Sequence, residues 1–311
     1  MKLGNHSSNC FDIACGVPQG SVLGPKLFIL YINDICQVSK LLSMVLFADD
    51  TNVFCSGDDL DTLQKNINEE LYKLKLWFDW NKLSLNVSKT KCMFFGRFRL
   101  NTQLKIDIDG VAIEQVHKIK FLGVTIDDKL SWKPHITHVK YKVARSLAVI
   151  NKAKQVLDHK SLHTLYCSLV LPYLNYCTEV WGNNYKSSLQ SQIILQKRAV
   201  RIIHRVGYLE HTNPLFLQSK LLKFTDIGSY QTAITMYRAR YHLLPLNIQN
   251  LFGEREGGHN LRRELNFKIQ MRNSTMKSFC ISITGVKLWN NLSEVHKQCP
   301  SINVFKRIYK N

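Results

Sequence analysis

The sequence predicts an α+β protein in which an antiparallel sheet backed by helices precedes a helical bundle and a small C-terminal module. Residues 11–126 alternate short apolar, β-branched runs with turn residues and include two amphipathic helices. Residues 129–250 carry apolar side chains mainly at helical spacing, and a polar segment at 253–275 separates them from the end of the chain. The predicted divisions are 1–128, 129–250 and 251–311.

The charge of the chain is unevenly distributed. The 311 residues carry 42 Lys and Arg against 23 Asp and Glu, a net charge of +19. Residues 1–128 hold 14 basic and 15 acidic side chains, whereas residues 129–311 hold 28 basic and 8 acidic. This division favours a protein that holds a polyanion with one part and performs metal chemistry with the other. The sequence contains no run of the roughly 18 apolar residues that a membrane span needs, so no membrane partner is expected.

The nine cysteines are scattered and form no C-x-x-C pair. We expect reduced thiols in an intracellular protein, with nucleus and cytoplasm both left open. The nearest approach to a zinc site, Cys280 with His296 and Cys299, lacks a fourth ligand at a plausible spacing, so scattered thiols are the preferred interpretation.

Two adjacent carboxylates, Asp49 and Asp50, separate the apolar runs 43–46 and 51–54. The pattern predicts a buried hairpin with both carboxylates at its tip. A buried carboxylate costs several kcal/mol unless a cation or donor meets it, and paired oxygen ligands suit Mg²⁺. The alternative is ordinary turn chemistry, which an isolated Asp-Asp pair would favour.

A glycine-containing loop at 16–21 leads into a helix predicted over residues 22–33, with Ser21 as its N-cap. Backbone N–H groups at such a helix start suit a phosphate or the close approach of a base. Glycine-proline loops before helices are common, so this loop is weak evidence by itself.

A second candidate surface lies on the helix predicted over residues 187–206. Four cationic residues at spacings of three and four give this helix a basic face: Lys197, Arg198, Arg201 and Arg205. A solvated basic face explains the helix equally well in isolation. The large positive charge of the second half favours a nucleic-acid contact.

Four motifs in this order resemble the reverse transcriptase of non-LTR (LINE-type) retrotransposons. They are Gly16-Val17-Pro18-Gln19-Gly20-Ser21-Val22-Leu23-Gly24-Pro25, Phe47-Ala48-Asp49-Asp50, Leu85-Asn86 with Lys89-Thr90, and Phe121-Leu122-Gly123. The resemblance covers roughly residues 10–130 as a palm. The basic helical half looks like a thumb, and residues 288–292 look like the C-terminal tail of these elements.

The resemblance implies an RNA-directed DNA polymerase that performs two-metal nucleotidyl transfer to a primer 3′-hydroxyl. The implied metal ligands are Asp49 and Asp50, which hold Mg²⁺ (or Mn²⁺), and Lys89 is implied near the pyrophosphate leaving group. The residues implied to line the nucleotide and template pocket are Gln19, Gly20 and Ser21. The implied primer grip is Phe121, Leu122 and Gly123. The implied partners are an RNA template, a DNA primer and a dNTP, and no protein partner follows.

One departure from the family pattern qualifies these roles. The family carries a further metal-binding aspartate on an earlier strand, together with fingers that cover the nucleotide. The carboxylate that precedes the loop here is Asp12, which is too close to Gly16 to match that strand. We therefore expect a C-terminal fragment with a partial palm that is inactive alone. The alternatives are a non-catalytic nucleic-acid-binding remnant and a decayed copy without a selected role.

Overall fold

The computed structural model describes residues 2–4, 6–7, 16–17, 20–96, 104–253, 265–271 and 277–310. The chain divides into two compact units, Met1–His117 and Lys118–Asn311. We call the second the helical unit. Helices and strands both occur, which confirms the α+β class. The predicted divisions at 128 and 250 are functional assignments that this boundary does not test, and they stay predictions.

The first unit contains short strands and two α-helices. Its elements are β1 (Lys2–Leu3), β2 (His6–Ser7), α1 (Gly24–Tyr31), a 3-10 helix (Asn33–Gln37), β3 (Ser43–Phe47), β4 (Asp50–Phe54), α2 (Leu60–Trp80), a 3-10 turn (Val87–Lys89), β5 (Lys91–Cys92), β6 (Asp107–Ile108), β7 (Val111–Ala112) and β8 (Glu114–Gln115).

The helical unit opens with a hairpin and continues with helices. Its elements are β9 (Lys118–Phe121), β10 (Val124–Asp127), α3 (Lys133–Ala153), α4 (His159–Leu169), α5 (Leu171–Asn175), α6 (Thr178–Trp181), α7 (Lys186–His204), α8 (Thr212–Gln218), α9 (Phe224–Arg240), α10 (Leu246–Gln249), a 3-10 turn (Lys277–Phe279), α11 (Ile281–Asn290), α12 (Glu294–Lys297) and α13 (Ile302–Lys310). Within the described ranges, none of these helices has both the length and the apolar composition to cross a membrane.

The described strands pair two by two instead of forming the one antiparallel sheet that the sequence suggested. Antiparallel pairs are β1–β2, β3–β4, β6–β7 and β9–β10, whereas β5 and β8 pair in parallel. Most strands of the first unit have only two residues, too short to extend a ladder into a wider sheet. The strand predicted at 11–15 lies outside the described residues.

The core of the first unit forms between α2 and the short strands. The apolar face of α2 buries Leu71, Leu74 and Trp77 against residues such as Ile35 and Ile108. The spacing of these α2 residues places them on one side of the helix, as the sequence predicted. Hairpin residues of the first unit pack against this core.

The hairpin β6–β7 turns at Asp109 and Gly110, a dipeptide typical of two-residue hairpin turns. Both residues have positive φ, 54° and 75°, as a type I′ turn requires. Asp109 is accounted for by this turn and needs no catalytic role.

The core of the helical unit lies between α3, α4, α7 and the start of α9. Pro134 stands in the first turn of α3, where a proline is favoured, and the buried face of α3 includes Val143 and Ile150. The buried side chain of Gln196 ties the layers together, because its Oε1 accepts the N–H of Phe224 at 2.7 Å and its Nε2 donates to the Tyr166 hydroxyl at 2.9 Å. Burial raises the pKa of Tyr166 to about 12.

The predicted tail at 288–292 has a structural role in the helical unit. The Trp289 indole is fully buried, and its Nε1 donates to the carbonyl of Leu265 at 2.8 Å. The side-chain oxygen of Asn290 accepts the N–H of Phe267 at 3.0 Å, and its Nδ2 donates to the carbonyl of Phe267 at 3.0 Å. The buried ammonium of Lys297 donates to Asn266 Oδ1 at 2.9 Å. These bonds fasten the segment 265–267 onto α11 and α12.

Candidate functional site

Asp49 and Asp50 lie at the turn between β3 and β4, with Ala48 at φ 51° before them. Both side chains are exposed, so the expectation of a buried hairpin tip was wrong. One face of the hairpin packs Met44, Leu46 and Val53 on the core, whereas the opposite face is open to solvent.

The open face of the hairpin combines charge with apolar surface. Asp50 pairs with Phe47 across the hairpin, and partners in an antiparallel ladder share a face. Phe47 and Val45, which is two residues away and on the same face, are 58% and 47% exposed. Because the carboxylates are exposed, they have no desolvation cost that a bound cation would have to offset. Their suitability for metal rests on two oxygen donors fixed at one turn.

The glycine loop is described in part. Gln19 lies outside the described residues, so its predicted role has no geometry here. Gly20 is exposed with φ 84°, a conformation that favours glycine. The Ser21 hydroxyl accepts the N–H of Gly24 at 3.1 Å, although the backbone places the N-cap at Leu23. Ser21 thus caps the start of α1 from a position two residues before the N-cap residue Leu23.

Lys89 ends a single turn of 3-10 helix that Asn86 organises. The Asn86 side chain accepts the N–H of Lys89 at 3.1 Å and the hydroxyl of Ser88 at 2.8 Å, while its carbonyl accepts the hydroxyl of Thr90 at 3.0 Å. These bonds give Asn86 and Thr90 a structural role in shaping this turn. They hold the backbone of Lys89 and leave its side chain exposed.

The predicted primer grip is the turn of the hairpin β9–β10, which belongs to the helical unit. Leu122 and Gly123 have φ 44° and 85° and form the turn, while Phe121 ends β9. The Tyr176 hydroxyl donates to the carbonyl of Leu122 at 2.6 Å. The turn is therefore bonded to the segment between α5 and α6.

The base of the same hairpin is fastened to α3. The Asp127 carboxylate accepts the N–H groups of Ser131 and Trp132, at 3.1 and 2.9 Å. The N–H of Thr125 donates to Nδ1 of His135 at 3.2 Å. His135 must be neutral to accept this bond, and burial, with a smaller contribution from His138, lowers its pKa from 6.5 to about 4.

The lowered pKa of His135 predicts that the helical unit loses stability in acid. Because the folded-state pKa lies below the unfolded one, the unfolded chain binds more protons between them, and stability is lost as pH falls from about 6.5 toward 4. We expect this residue to account for a loss of about 2 to 3 kcal/mol in the free energy of unfolding between pH 7 and 4.

Urea denaturation at several pH values checks this expectation. His135→Asn keeps an oxygen acceptor for Thr125 but cannot titrate, so the variant should lose that part of the pH dependence. Equal pH dependence in the variant and the wild type would contradict the assignment.

The basic residues of α7 divide into two pairs. Lys197 and Arg198 are exposed. Arg201 donates from Nε to the carbonyl of Glu210 at 2.9 Å and lies 5.6 Å from the ring centre of Tyr208. Arg205 donates to the carbonyl of Leu157 at 2.5 Å. The second pair therefore also holds the loops beside α7, which leaves Lys197 and Arg198 as the pair directed mainly to solvent.

The structure places the predicted residues in two separate groups. Asp49, Asp50, Gly20, Ser21 and Lys89 belong to the first unit, whereas the primer-grip turn and the basic residues of α7 belong to the helical unit. The sequence reasoning missed Tyr176, His135 and Asp127. Nothing local marks Tyr176, because its partner lies 54 residues away in the chain.

The cysteines of the described residues form no disulfide with one another. Within those residues, no three His, Cys, Asp or Glu side chains are placed to hold a metal ion. Cys299 is buried and donates to the carbonyl of Val295, and His296 bonds with Ser293 at 2.7 Å.

The first part of the chain is similar to a known class of nucleic-acid polymerase. Residues 2–126 match the family described as reverse transcriptase (RNA-dependent DNA polymerase).

The relatives identify the kind of element. The probable RNA-directed DNA polymerase from transposon X-element of Drosophila melanogaster is 28% identical over 245 residues, which are 74% of this chain and 25% of the relative. The RNA-directed DNA polymerase from mobile element jockey of the same species is 27% identical over 266 residues, 81% of this chain and 28% of the relative. A Pol polyprotein from the type-1 retrotransposable element R1 of Bradysia coprophila is 25% identical over 203 residues, 62% of this chain and 20% of the relative.

This chain is therefore a relative of the LINE-type, non-LTR retrotransposon reverse transcriptases, as its motifs predicted. It spans about a quarter of the length of the X-element and jockey polymerases. No solved structure matches it.

Proposed function

We propose that this chain supplies the metal-binding carboxylates, the primer-contacting hairpin and the nucleic-acid-holding helices of an RNA-directed DNA polymerase. The observation that carries the proposal is the order of the family motifs, followed by a strongly basic helical part. The substrates are an RNA template, a DNA primer and a dNTP. Phosphate contacts from Lys197 and Arg198 hold the nucleic acid without regard to sequence.

Asp49 and Asp50 are the residues that hold Mg²⁺ or Mn²⁺ in this proposal. Their oxygen donors fit a hard divalent cation, and their exposure leaves them accessible. A bound cation supplies Lewis-acid activation and charge neutralisation for nucleotidyl transfer. Lys89 places a positive charge at the leaving pyrophosphate from its capped turn. Gln19, Gly20 and Ser21 line the pocket for the nucleotide and template.

The 311-residue polypeptide by itself binds template–primer without extending it. Two adjacent carboxylates are fewer ligands than the family's metal site uses, and the described residues bring no three ligating side chains together. The same observation favours a second candidate function, nucleic-acid binding without catalysis. The two functions differ in whether Asp49 binds a divalent metal ion.

Mn²⁺ binding, measured beside primer extension on an RNA template with Mg²⁺, separates the two functions. The polypeptides to compare are the wild type, Asp49→Ala and, as a control, Asp61→Ala, which removes an exposed carboxylate of α2. We expect all three to bind template–primer and none to extend it. Mn²⁺ binding followed by electron paramagnetic resonance should be weak in the wild type and the control and lower in Asp49→Ala.

Each other result has a definite meaning. Extension by the wild type and the control, but not by Asp49→Ala, would show that these residues suffice for catalysis and contradict the expected inactivity. Equal Mn²⁺ binding by all three would contradict the role of Asp49. Absence of template–primer binding would contradict both functions.

A further inference from the structure

The turn of the hairpin β9–β10 is fixed by one side chain from a distant part of the helical unit. The Tyr176 hydroxyl donates to the carbonyl of Leu122 at 2.6 Å. A Cβ added to Gly123 would lie 3.2 Å from Cε1 of Tyr176, so the aromatic ring also packs closely against this turn. The φ of 85° at Gly123 further restricts the position to glycine. Tyr176 therefore contacts both central residues of the turn.

Tyr176 is itself held in place by the core of the helical unit. Its carbonyl accepts a hydrogen bond from Nε1 of Trp181 at 2.9 Å, and the next residue, Cys177, has φ 51° at the start of α6. Trp181 is fully buried and stacks on Phe224 with 5.6 Å between ring centres. A continuous set of contacts thus runs from the hairpin turn through Tyr176 to the core.

The hairpin is also fastened at its base, where the Asp127 carboxylate accepts the N–H groups of Ser131 and Trp132 just before α3 and Thr125 bonds to His135. A hairpin fixed at both ends to the same set of helices moves with those helices. A free tip, in contrast, would open locally at little cost, because few contacts would oppose it.

We infer that Tyr176 is a positioning residue that fixes the Phe121–Gly123 turn to the helical unit, so that a primer end held by this turn is carried with the helices that hold the duplex. The inference rests on the proposed function, in which this turn contacts the primer. It adds a residue outside the family motifs to the machinery that places the primer.

Tyr176→Phe tests the inference, because it removes the hydroxyl and keeps the ring that packs on Gly123. Tyr173→Phe is the matched control, since it removes a hydroxyl from α5, three residues away. Loss of one hydrogen bond corresponds to about a fivefold effect. We expect hydrogen exchange of the amides of Phe121 and Val124 to be about fivefold faster in Tyr176→Phe. The control should behave as the wild type, and thermal melting should change little in either variant.

A second readout reports on the primer rather than on the fold. The wild type should prefer an RNA–DNA duplex with a recessed primer 3′ end over a blunt duplex of equal length. Tyr176→Phe should lose most of this preference while its affinity for the blunt duplex is unchanged. Wild-type exchange rates and wild-type preference in Tyr176→Phe would overturn the inference. If the wild type binds neither duplex, the proposed function fails, and the exchange rates still decide whether Tyr176 fixes the turn.

Discussion

Replacing Trp181 with alanine is expected to lower the free energy of unfolding of the helical unit by about 4 kcal/mol, as for other buried Trp-to-Ala changes. The side chain is completely buried, stacks on Phe224 and meets the ring of His135 edge-on at 5.2 Å. Its removal leaves a cavity and deprives the carbonyl of Tyr176 of a donor. The cavity lies within the core, where neighbouring helices cannot easily close it.

Urea denaturation followed by circular dichroism measures this loss. Trp80→Ala is the control, because Trp80 is 75% exposed at the end of α2 and its loss should change stability by no more than about 0.5 kcal/mol. Equal destabilisation by the two substitutions would contradict the placement of Trp181 in the core.

Reversing two exposed charges of α7, as Lys197→Glu with Arg198→Glu, is expected to weaken binding of an RNA–DNA duplex by about 100-fold at low salt. Each cation that neutralises a phosphate releases condensed counterions, and each introduced carboxylate repels the backbone. The slope of log affinity against log salt should fall by about 2, one unit for each lost contact. Arg201 and Arg205 are left unchanged because they also hold the loops at Glu210 and Leu157.

The control for this prediction is Lys40→Glu with Lys65→Glu, which makes the same change in net charge on exposed residues of the first unit. Fluorescence anisotropy of a labelled duplex measures both affinity and salt dependence. An equal loss of affinity in the two double variants would show that net charge, and not α7, determines binding.

The sequence predicted those elements whose signals are local. The apolar spacing of α2, α3, α7 and α9 recurs within each helix, and Pro134 marks the first turn of α3. The Asp109-Gly110 dipeptide is likewise a local turn signal for the hairpin β6–β7. In each of these elements, neighbouring residues carry the whole signal.

Exposure and long-range contacts could not be predicted in this way. The apolar residues of β3 and β4 indicate a strand but do not show what covers each face, so the exposure of Asp49, Asp50 and Phe47 differed from the expectation. Similarly, the bond from Tyr176 to Leu122 depends on how α5 and α6 pack. The chemistry of the carboxylate pair was readable from the sequence, whereas its surroundings were not.

The basic side of α7 shows the same limit. Its spacing predicted four cations on one face, yet two of them also bond to backbone carbonyls of the loops at Glu210 and Leu157. Those partners come from segments whose positions only the folded chain defines. The two more accessible cations, Lys197 and Arg198, are therefore the better targets for testing nucleic-acid contact.

The central claim is that this chain holds a template–primer through its basic helical unit. The most direct measurement is the equilibrium affinity of the 311-residue chain for an RNA–DNA template–primer at increasing salt concentration. We predict tight binding at low salt that weakens steeply and linearly on logarithmic axes, as counterion release requires. Affinity that stays constant as salt rises, or no binding at low salt, would contradict the claim.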